Sequence, residues 1–281
     1  MLKQRVITAV IMLAVLAGSI CLSPVAFAAV MAFAVSAAIW EWLRMLRVRA
    51  AIPASAVIGV VLFGLWTAGV RIPGGVLLAL TAIDTAIWIV LTCFIFRDRS
   101  RGFRLPPAVQ CLMALLMLPL AWCALMRLFE LGSWQLVVSV LVIVWSADIF
   151  AYFSGRFFGG KFFGERRMAS AISPKKTWEG ALGAFVCGII IFFALGFGFS
   201  GCPDIYQAEL IRVAGIPGAA VAALFLTVLS MAGDLLESAA KRQAGIKDSS
   251  NLLPGHGGYF DRLDSCVPVM PASLCLLLLL A

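Results

Sequence analysis

Charged residues are scarce in this sequence. Asp, Glu, Lys and Arg make up 13% of its 281 residues, and 63% are hydrophobic, whereas an average soluble domain has about 25% charged residues. Histidine occurs once, as His256, and the eight cysteines include no C-x-x-C pair. These absences argue against a soluble globular protein, a disulfide framework and a thiol-based zinc site.

Long apolar runs take up most of the chain, and the mean hydropathy is +1.04. A helix that crosses a bilayer needs about 20 such residues. The sequence therefore predicts an all-α polytopic membrane protein with about nine transmembrane helices. The predicted spans are Val6–Leu22, Val25–Leu43, Ile52–Val70, Val76–Phe96, Ala108–Met126, Trp134–Phe153, Ala181–Phe199, Gly218–Leu236 and a short Val267–Leu280 that contains Pro268 and Pro271.

The basic residues follow the positive-inside rule. With the N-terminus in the cytoplasm, only Arg71, Arg127 and Arg212 fall on the opposite face. The net charge of +8 therefore reflects topology and anionic lipid head groups rather than nucleic-acid binding. Ala26-Phe27-Ala28 resembles a signal cleavage site, but an uncleaved first helix is the better interpretation, since a second apolar run follows directly.

We expect two regions: N-terminal transmembrane helices over 1–130 and a catalytic region over 131–281. The catalytic region carries two polar loops, 154–180 and 237–266, which both lie on the cytoplasmic side of the predicted topology. This places the site at the cytoplasmic face of a multi-pass protein of the cell inner (plasma) membrane. The sequence leaves the oligomeric state open, with a homodimer as one alternative.

The stretch 233–264 is polar although apolar runs flank it. At helical spacing, one face carries Asp234, Glu237, Ser238, Lys241 and Arg242. An ionised Asp234 inside a span needs a cation. Lys241 lies two turns away, so a metal ion or a lysine of the other loop is the better partner.

The end of this stretch suits a hard cation. Asp261 and Asp264 stand on one side of a predicted helical turn, and carboxylates without thiols favour Mg²⁺. The glycines around His256 let backbone N–H groups approach a ligand. His256 itself is equally well explained by a structural hydrogen bond within the loop.

The other loop contains S-P-K-K-T-W-E-G at 173–180. We expect Ser173 to cap a helix that begins at Pro174, so that Lys175 and Lys176 lie at a positive helix end that attracts phosphate. A plain membrane anchor is the alternative for these lysines. The loop has no P-loop spacing.

Three carboxylates lie within apolar runs. Asp148 lies near the cytoplasmic end of the sixth span and is explained equally well as a functional residue or as a packing residue paired with an arginine. Glu41, between Trp40 and Trp42, fits a membrane interface. For Asp84 we expect a protonated side chain that bonds to another helix.

These motifs resemble those of phosphatidate cytidylyltransferases. The match comprises D-x-x-A-Y…G-R from Asp148 to Arg156, S-P-K-K-T-x-E-G at 173–180, and Ser238…Lys241-Arg242…Lys247-Asp248…His256-Gly257-Gly258…Asp261-Arg262-x-Asp264. The N-terminal L-K-x-R-V-x-T-A at Leu2–Ala9 is also similar to the opening of that family. The resemblance spans the chain and is most specific over 148–264.

The resemblance implies a Mg²⁺-dependent reaction, with one or two metal ions, in which CTP and phosphatidate give CDP-diacylglycerol and pyrophosphate. It implies metal binding by Asp234, Asp261 and Asp148. It implies catalytic roles for Lys241, Arg242, His256, Arg262 and Asp264. It implies substrate binding by Ser173, Lys175, Lys176, Glu179, Ser238, Lys247, Asp248, Gly257 and Gly258.

Three other classes of protein fit these residues less well. The CDP-alcohol phosphotransferase pattern D-G-x-x-A-R is absent. A CTP-dependent lipid-alcohol kinase does not explain the H-G-G-x-x-D-R-x-D run. An ion-coupled transporter could use Asp84, Asp148 and Asp234, but it favours sites on paired halves near the midplane, and no internal repeat is evident.

Overall fold

The computed structural model describes residues 2–164 and 167–280. These residues form nine helices and one two-stranded sheet. In chain order the elements are α1 Leu2–Leu22, α2 Pro24–Met45, α3 Ala51–Thr67, α4 Gly74–Arg97, α5 Pro107–Phe158, β1 Arg167–Ala169, β2 Ser173–Thr177, α6 Trp178–Gly198, α7 Tyr206–Gln243, α8 Phe260–Leu263 and α9 Cys266–Leu280.

Seven helical stretches in the described residues are long and apolar enough to cross a membrane, with α8 and α9 counted as one. The protein is therefore an all-α, multi-pass membrane protein, as predicted. Helix α3 is also apolar but has only 17 residues. Each predicted apolar segment coincides largely or wholly with a helix.

Two long helices are interrupted. In α5 the backbone leaves helical geometry at Gly132 and Ser133, so the two predicted spans on either side are separate helical segments. In α7 the break is at Gly215, where φ is +67°, just before Pro217. A positive φ suits glycine, and proline cannot continue a helix from the preceding turn.

Helix α9, which looked the weakest in sequence, lies at the centre of the bundle. It packs against α4, α5 and α7, and nearly all its side chains from Val267 to Leu277 are buried. Helix α1 is mostly exposed and packs on α2. Asp84 is buried in α4, but its Oδ2 has no hydrogen-bond partner among the described residues, so that atom does not make the interhelical bond we expected.

Candidate active site

The last three turns of α7 carry the predicted polar face. Leu235, Leu236, Ala239 and Ala240 are buried on the other side of the helix. On the polar face, Ser238 donates a hydrogen bond to Asp234 Oδ1 at 3.3 Å. Lys241 Nζ lies 2.5 Å from Glu237 Oε2 and 2.5 Å from Asp261 Oδ1. Its ammonium group therefore joins α7 to α8.

Asp234 is paired with a lysine of the other polar loop, which is one of the two partners, a metal ion or a lysine, that the sequence left open. Lys176 Nζ lies 2.6 Å from Asp234 Oδ2. The loop 154–180 and the last turns of α7 thus meet at this ion pair. Arg242 reinforces the contact through Nε, which donates to the carbonyl oxygen of Ile172 at 3.4 Å.

The helix start predicted at Ser173 and Pro174 is wrong. Residues Ser173–Thr177 form strand β2, which pairs with β1, and α6 begins at Trp178. A residue that precedes proline is biased towards extended geometry, and here that bias applies to Ser173. Thr177 is the N-cap instead, since its side chain accepts a hydrogen bond from Gly180 N at 3.1 Å. Lys175 and Lys176 therefore lie on the strand that leads into the N-cap of α6, not in the first turn of a helix.

A cleft of about 380 Å³ opens beside this strand. Helices α5, α6 and α7 form its other walls. Residues from the first two motif regions line it, including Asp148, Arg156, Lys175 and Lys176, together with Asp234 of α7. The cleft combines these charges with apolar side chains such as Met168 and Met231, which suits a ligand that is both anionic and lipidic.

Asp261 organises the loop that contains His256. Its Oδ2 accepts hydrogen bonds from Ser249 N at 3.0 Å, Ser249 Oγ at 2.8 Å and Gly258 N at 2.7 Å. Gly257 has φ of +87°, and a side chain there would overlap the Asp261 carboxylate. Glycine is therefore required on both conformational and steric grounds.

Glu41 is a site residue that sequence reasoning missed. We expected it at a membrane interface, but it is fully buried. Its carboxylate accepts hydrogen bonds from Ser250 Oγ, Tyr259 N and Phe260 N at 2.5–3.0 Å. Ser249 Oγ lies 2.9 Å from it and shares its single proton between Glu41 and Asp261. The available signal was a carboxylate in an apolar run, which is costly to bury without donors.

A second cavity, of about 460 Å³, lies between the loop that contains His256 and the start of α1. Its wall includes Arg5, Lys247, Asp248, His256 and Arg262. Partial burial, together with the charges of Arg262 and Arg5, holds the pKa of His256 below its usual range. His256 Nδ1 is buried without a hydrogen-bond partner among the described residues.

The described residues bring three carboxylates together in one place. Asp234, Glu237 and Asp264 can each direct one oxygen to a common point, since these atoms lie within 4.8 Å of one another. An all-oxygen set of this kind fits Mg²⁺. Asp148 lines the same cleft as Asp234. Asp261 lies outside this trio and is engaged by Lys241 and the loop.

Glu179 is placed under a turn rather than in the cleft. Its Oε1 accepts hydrogen bonds from the backbone N–H groups of Gly160, Phe162 and Phe163 at 2.9–3.2 Å. It therefore shapes the chain that leaves α5.

Comparison with known proteins gives matches along the whole chain. A family model described as the cytidylyltransferase family matches residues 3–280. The chain is 36% identical to a phosphatidate cytidylyltransferase of Pseudomonas aeruginosa, over 99% of this chain and 97% of that protein. It is 32% identical to one from Haemophilus influenzae, over 96% of each chain. A Bacillus subtilis protein of the same name is 42% identical over 46% of this chain and 42% of its own length.

The family model covers almost every residue, and two relatives align over nearly their full lengths. We conclude that this protein belongs to the cytidylyltransferase family.

Proposed function

We propose that the protein is a phosphatidate cytidylyltransferase, which transfers the cytidylyl group of CTP to phosphatidate and releases pyrophosphate. A phosphatidate oxygen forms a bond to the α-phosphorus of CTP as the bond to pyrophosphate breaks. The observation that carries the proposal is the convergence of Asp148, Lys176 and Asp234 on one cleft with apolar walls, in a chain whose full-length relatives bear that name.

The attacking oxygen of phosphatidate is already an anion, so the reaction needs no strong general base. Its barrier comes from bringing two anionic substrates together, and it is lowered by positioning and by charge neutralisation. Lys175 and Lys176 line the cleft, where they would bind the phosphate of the lipid. Lys247 and Arg262 line the second cavity with His256, where they would bind the phosphates of CTP.

We propose that a divalent cation, Mg²⁺, is held between these two regions by Asp234 and Asp264, with Glu237 and Asp148 beside them. When bound, such an ion neutralises charge on phosphate oxygens and orients them. Asp261, also predicted from the sequence to be a ligand, is now paired with Lys241. Glu237 is paired with the same lysine, so metal binding through the paired oxygen of either carboxylate would require that ammonium group to move.

The decisive experiment measures CDP-diacylglycerol formed from CTP and phosphatidate by purified protein, with and without Mg²⁺. We expect Mg²⁺-dependent product, and a loss of about 100-fold or more in Asp264→Asn. Absence of product from a folded wild-type protein would refute the proposed reaction.

Titration with Mg²⁺ distinguishes the carboxylates that we propose as metal ligands from Asp261, which the sequence also predicted to be a ligand. Asp264→Asn and Glu237→Gln should raise the Mg²⁺ concentration needed for half-maximal turnover. Asp261→Asn should lower turnover without that rise if Asp261 acts through the loop. A rise in Asp261→Asn as well would make Asp261 a ligand.

We also propose nine membrane crossings with the N-terminus in the cytoplasm, so that the site faces the cytoplasm from the inner membrane. Helix α5 crosses twice because it is broken at Gly132 and Ser133, and α3 crosses once. With the six other apolar stretches this makes nine.

A homodimer stays a prediction. The test is the mass of the protein in detergent.

A further inference from the structure

A third cleft, of about 260 Å³, lies among the end of α3, the start of α4 and the middle of α5. Helix α3 begins at Ala51, shortly after the end of α2, where Glu41 meets the catalytic loop. Since α3 has 17 residues, its far end lies about 25 Å away. The cleft is therefore at the opposite end of the bundle from the candidate active site.

The inner part of this cleft is apolar. Its apolar lining includes Leu62, Leu65, Leu77, Trp122 and Met126. Leu65 is 49% exposed on the outer surface of the bundle. In a bilayer this opening would face the acyl chains of the lipids, not water.

The rim of the cleft carries more positive than negative charges. Glu130 Oε1 lies 2.6 Å from Arg71 Nε and accepts a hydrogen bond from Trp66 Nε1 at 2.9 Å. Glu130 Oε2 accepts from Arg127 Nη1 at 3.3 Å. Two guanidinium groups thus share one carboxylate, and their side chains remain 43% and 40% exposed. The rim therefore keeps a net positive charge. Arg71 also donates through Nη1 to the carbonyl oxygens of Trp66 and Val70, so Arg127 is the arginine with more donors left for a ligand.

We infer that this cleft binds an anionic glycerophospholipid of the membrane leaflet opposite the active site. The phosphate would lie at Arg71 and Arg127, and part of an acyl chain would fill the apolar wall. Arginine suits this role because its planar group offers several donors to phosphate. The apolar wall gives a soluble anion no advantage, and a zwitterionic lipid lacks the net negative charge that the rim favours.

The test uses delipidated full-length protein in detergent with equal amounts of phosphatidylglycerol and phosphatidylcholine. Retained lipid is counted by native mass spectrometry. We expect the wild type to retain phosphatidylglycerol in preference to phosphatidylcholine. Arg127→Gln should retain about five-fold less phosphatidylglycerol, the effect of about one basic residue at a membrane surface.

Matched variants identify the site. Arg127→Lys should keep most of the binding, and Arg212→Gln, which alters an arginine paired with Glu209 away from this cleft, should resemble the wild type. Lys176→Gln should keep the preference because it alters only the active-site cleft. Leu65→Trp, which leaves the charges intact but fills the cleft, should also lose the lipid.

Three results would overturn the inference. One is equal retention by the wild type, Arg127→Gln and Leu65→Trp. Another is loss of the preference in Lys176→Gln, which would assign the lipid to the active site. The third is displacement by soluble glycerol phosphate, which would show that the apolar wall contributes nothing.

Discussion

Glu41 connects a helix near the start of the chain to the loop that carries His256. Its two carboxylate oxygens take donors from Ser249, Ser250 and the first turn of α8. Because Glu41 has no exposed surface, each of these donors replaces water that the carboxylate lost on burial. The N-terminal helices therefore support the site directly, although the motif residues lie in the second half of the chain.

Glu41→Gln should destabilise the protein by about 1–3 kcal/mol, since it removes a charge that accepts several hydrogen bonds and puts an amide group against their donors. The measurement is the thermal unfolding midpoint in detergent, together with amide exchange of residues 249–260. Glu209→Gln is the control because Glu209 is paired with an exposed arginine, and exposed pairs contribute about 0–1 kcal/mol. Equal effects of the two changes would contradict the prediction.

His256 should make the stability of the protein depend on pH. Its pKa in the folded state lies below the usual value, which is about 6.5. At a pH between these two pKa values, His256 is protonated more often in the unfolded chain than in the native state. The resulting contribution to stability is fully present above about pH 6.5 and is lost as the pH falls through the lowered pKa.

The unfolding midpoint of the wild type should therefore fall more steeply below about pH 6.5 than that of His256→Asn, which does not titrate. Parallel curves for the two proteins would show that His256 has no such role.

At the scale of the elements, the hairpin of β1 and β2 positions Lys176 against α7. Strand β2 holds the backbone extended up to Thr177, which caps α6. Gly233 lets α7 approach the chain entering α9, because a side chain there would overlap the backbone carbonyl of Asp264. Asp234, one residue later, is thereby held between Lys176 and Asp264.

A double-mutant cycle tests this contact. Lys176→Met and Asp234→Asn should each lower the turnover of CTP by about 100-fold, and the double variant should lose much less than the product of the two, because both residues act on one site. Arg97→Gln is the control, since Arg97 forms an exposed pair with its neighbour Asp98. Multiplicative losses would indicate that the two residues act independently.

The sequence predicted the helices and the polar face of α7 because these patterns are local and repeat at helical spacing. It also predicted that Asp234 is paired with a metal ion or with a lysine of the other loop, since burial of a carboxylate requires a cation. It did not reveal the contact between Glu41 and Ser249, which are 208 residues apart, because no local pattern encodes such a distant partner. The hairpin was missed because Pro174 was interpreted as the first residue of a helix instead of as a constraint on Ser173.

At the scale of the whole molecule, charged side chains lie towards the two ends of the bundle and apolar surface lies between them. The motif residues and most basic side chains lie at one end, whereas Arg71, Arg127 and Arg212 lie at the other. Between the two ends, many large apolar side chains are exposed, including Val60, Ile83 and Leu116, as expected for a surface that faces lipid. The positive-inside rule therefore predicts that the end with the site is cytoplasmic.

This orientation is open to a direct test because the two ends carry suitable positions for thiol labelling. Cys202 is exposed in the turn between α6 and α7, at the end opposite the site, and Asn251 is exposed beside the loop of His256. In intact cells, a membrane-impermeant maleimide should label a variant that keeps Cys202 as its only cysteine. A variant whose only cysteine comes from Asn251→Cys should react only after the membrane is opened. The reverse labelling pattern would show that the site faces away from the cytoplasm. Because CTP is supplied in the cytoplasm, that result would contradict the proposed reaction.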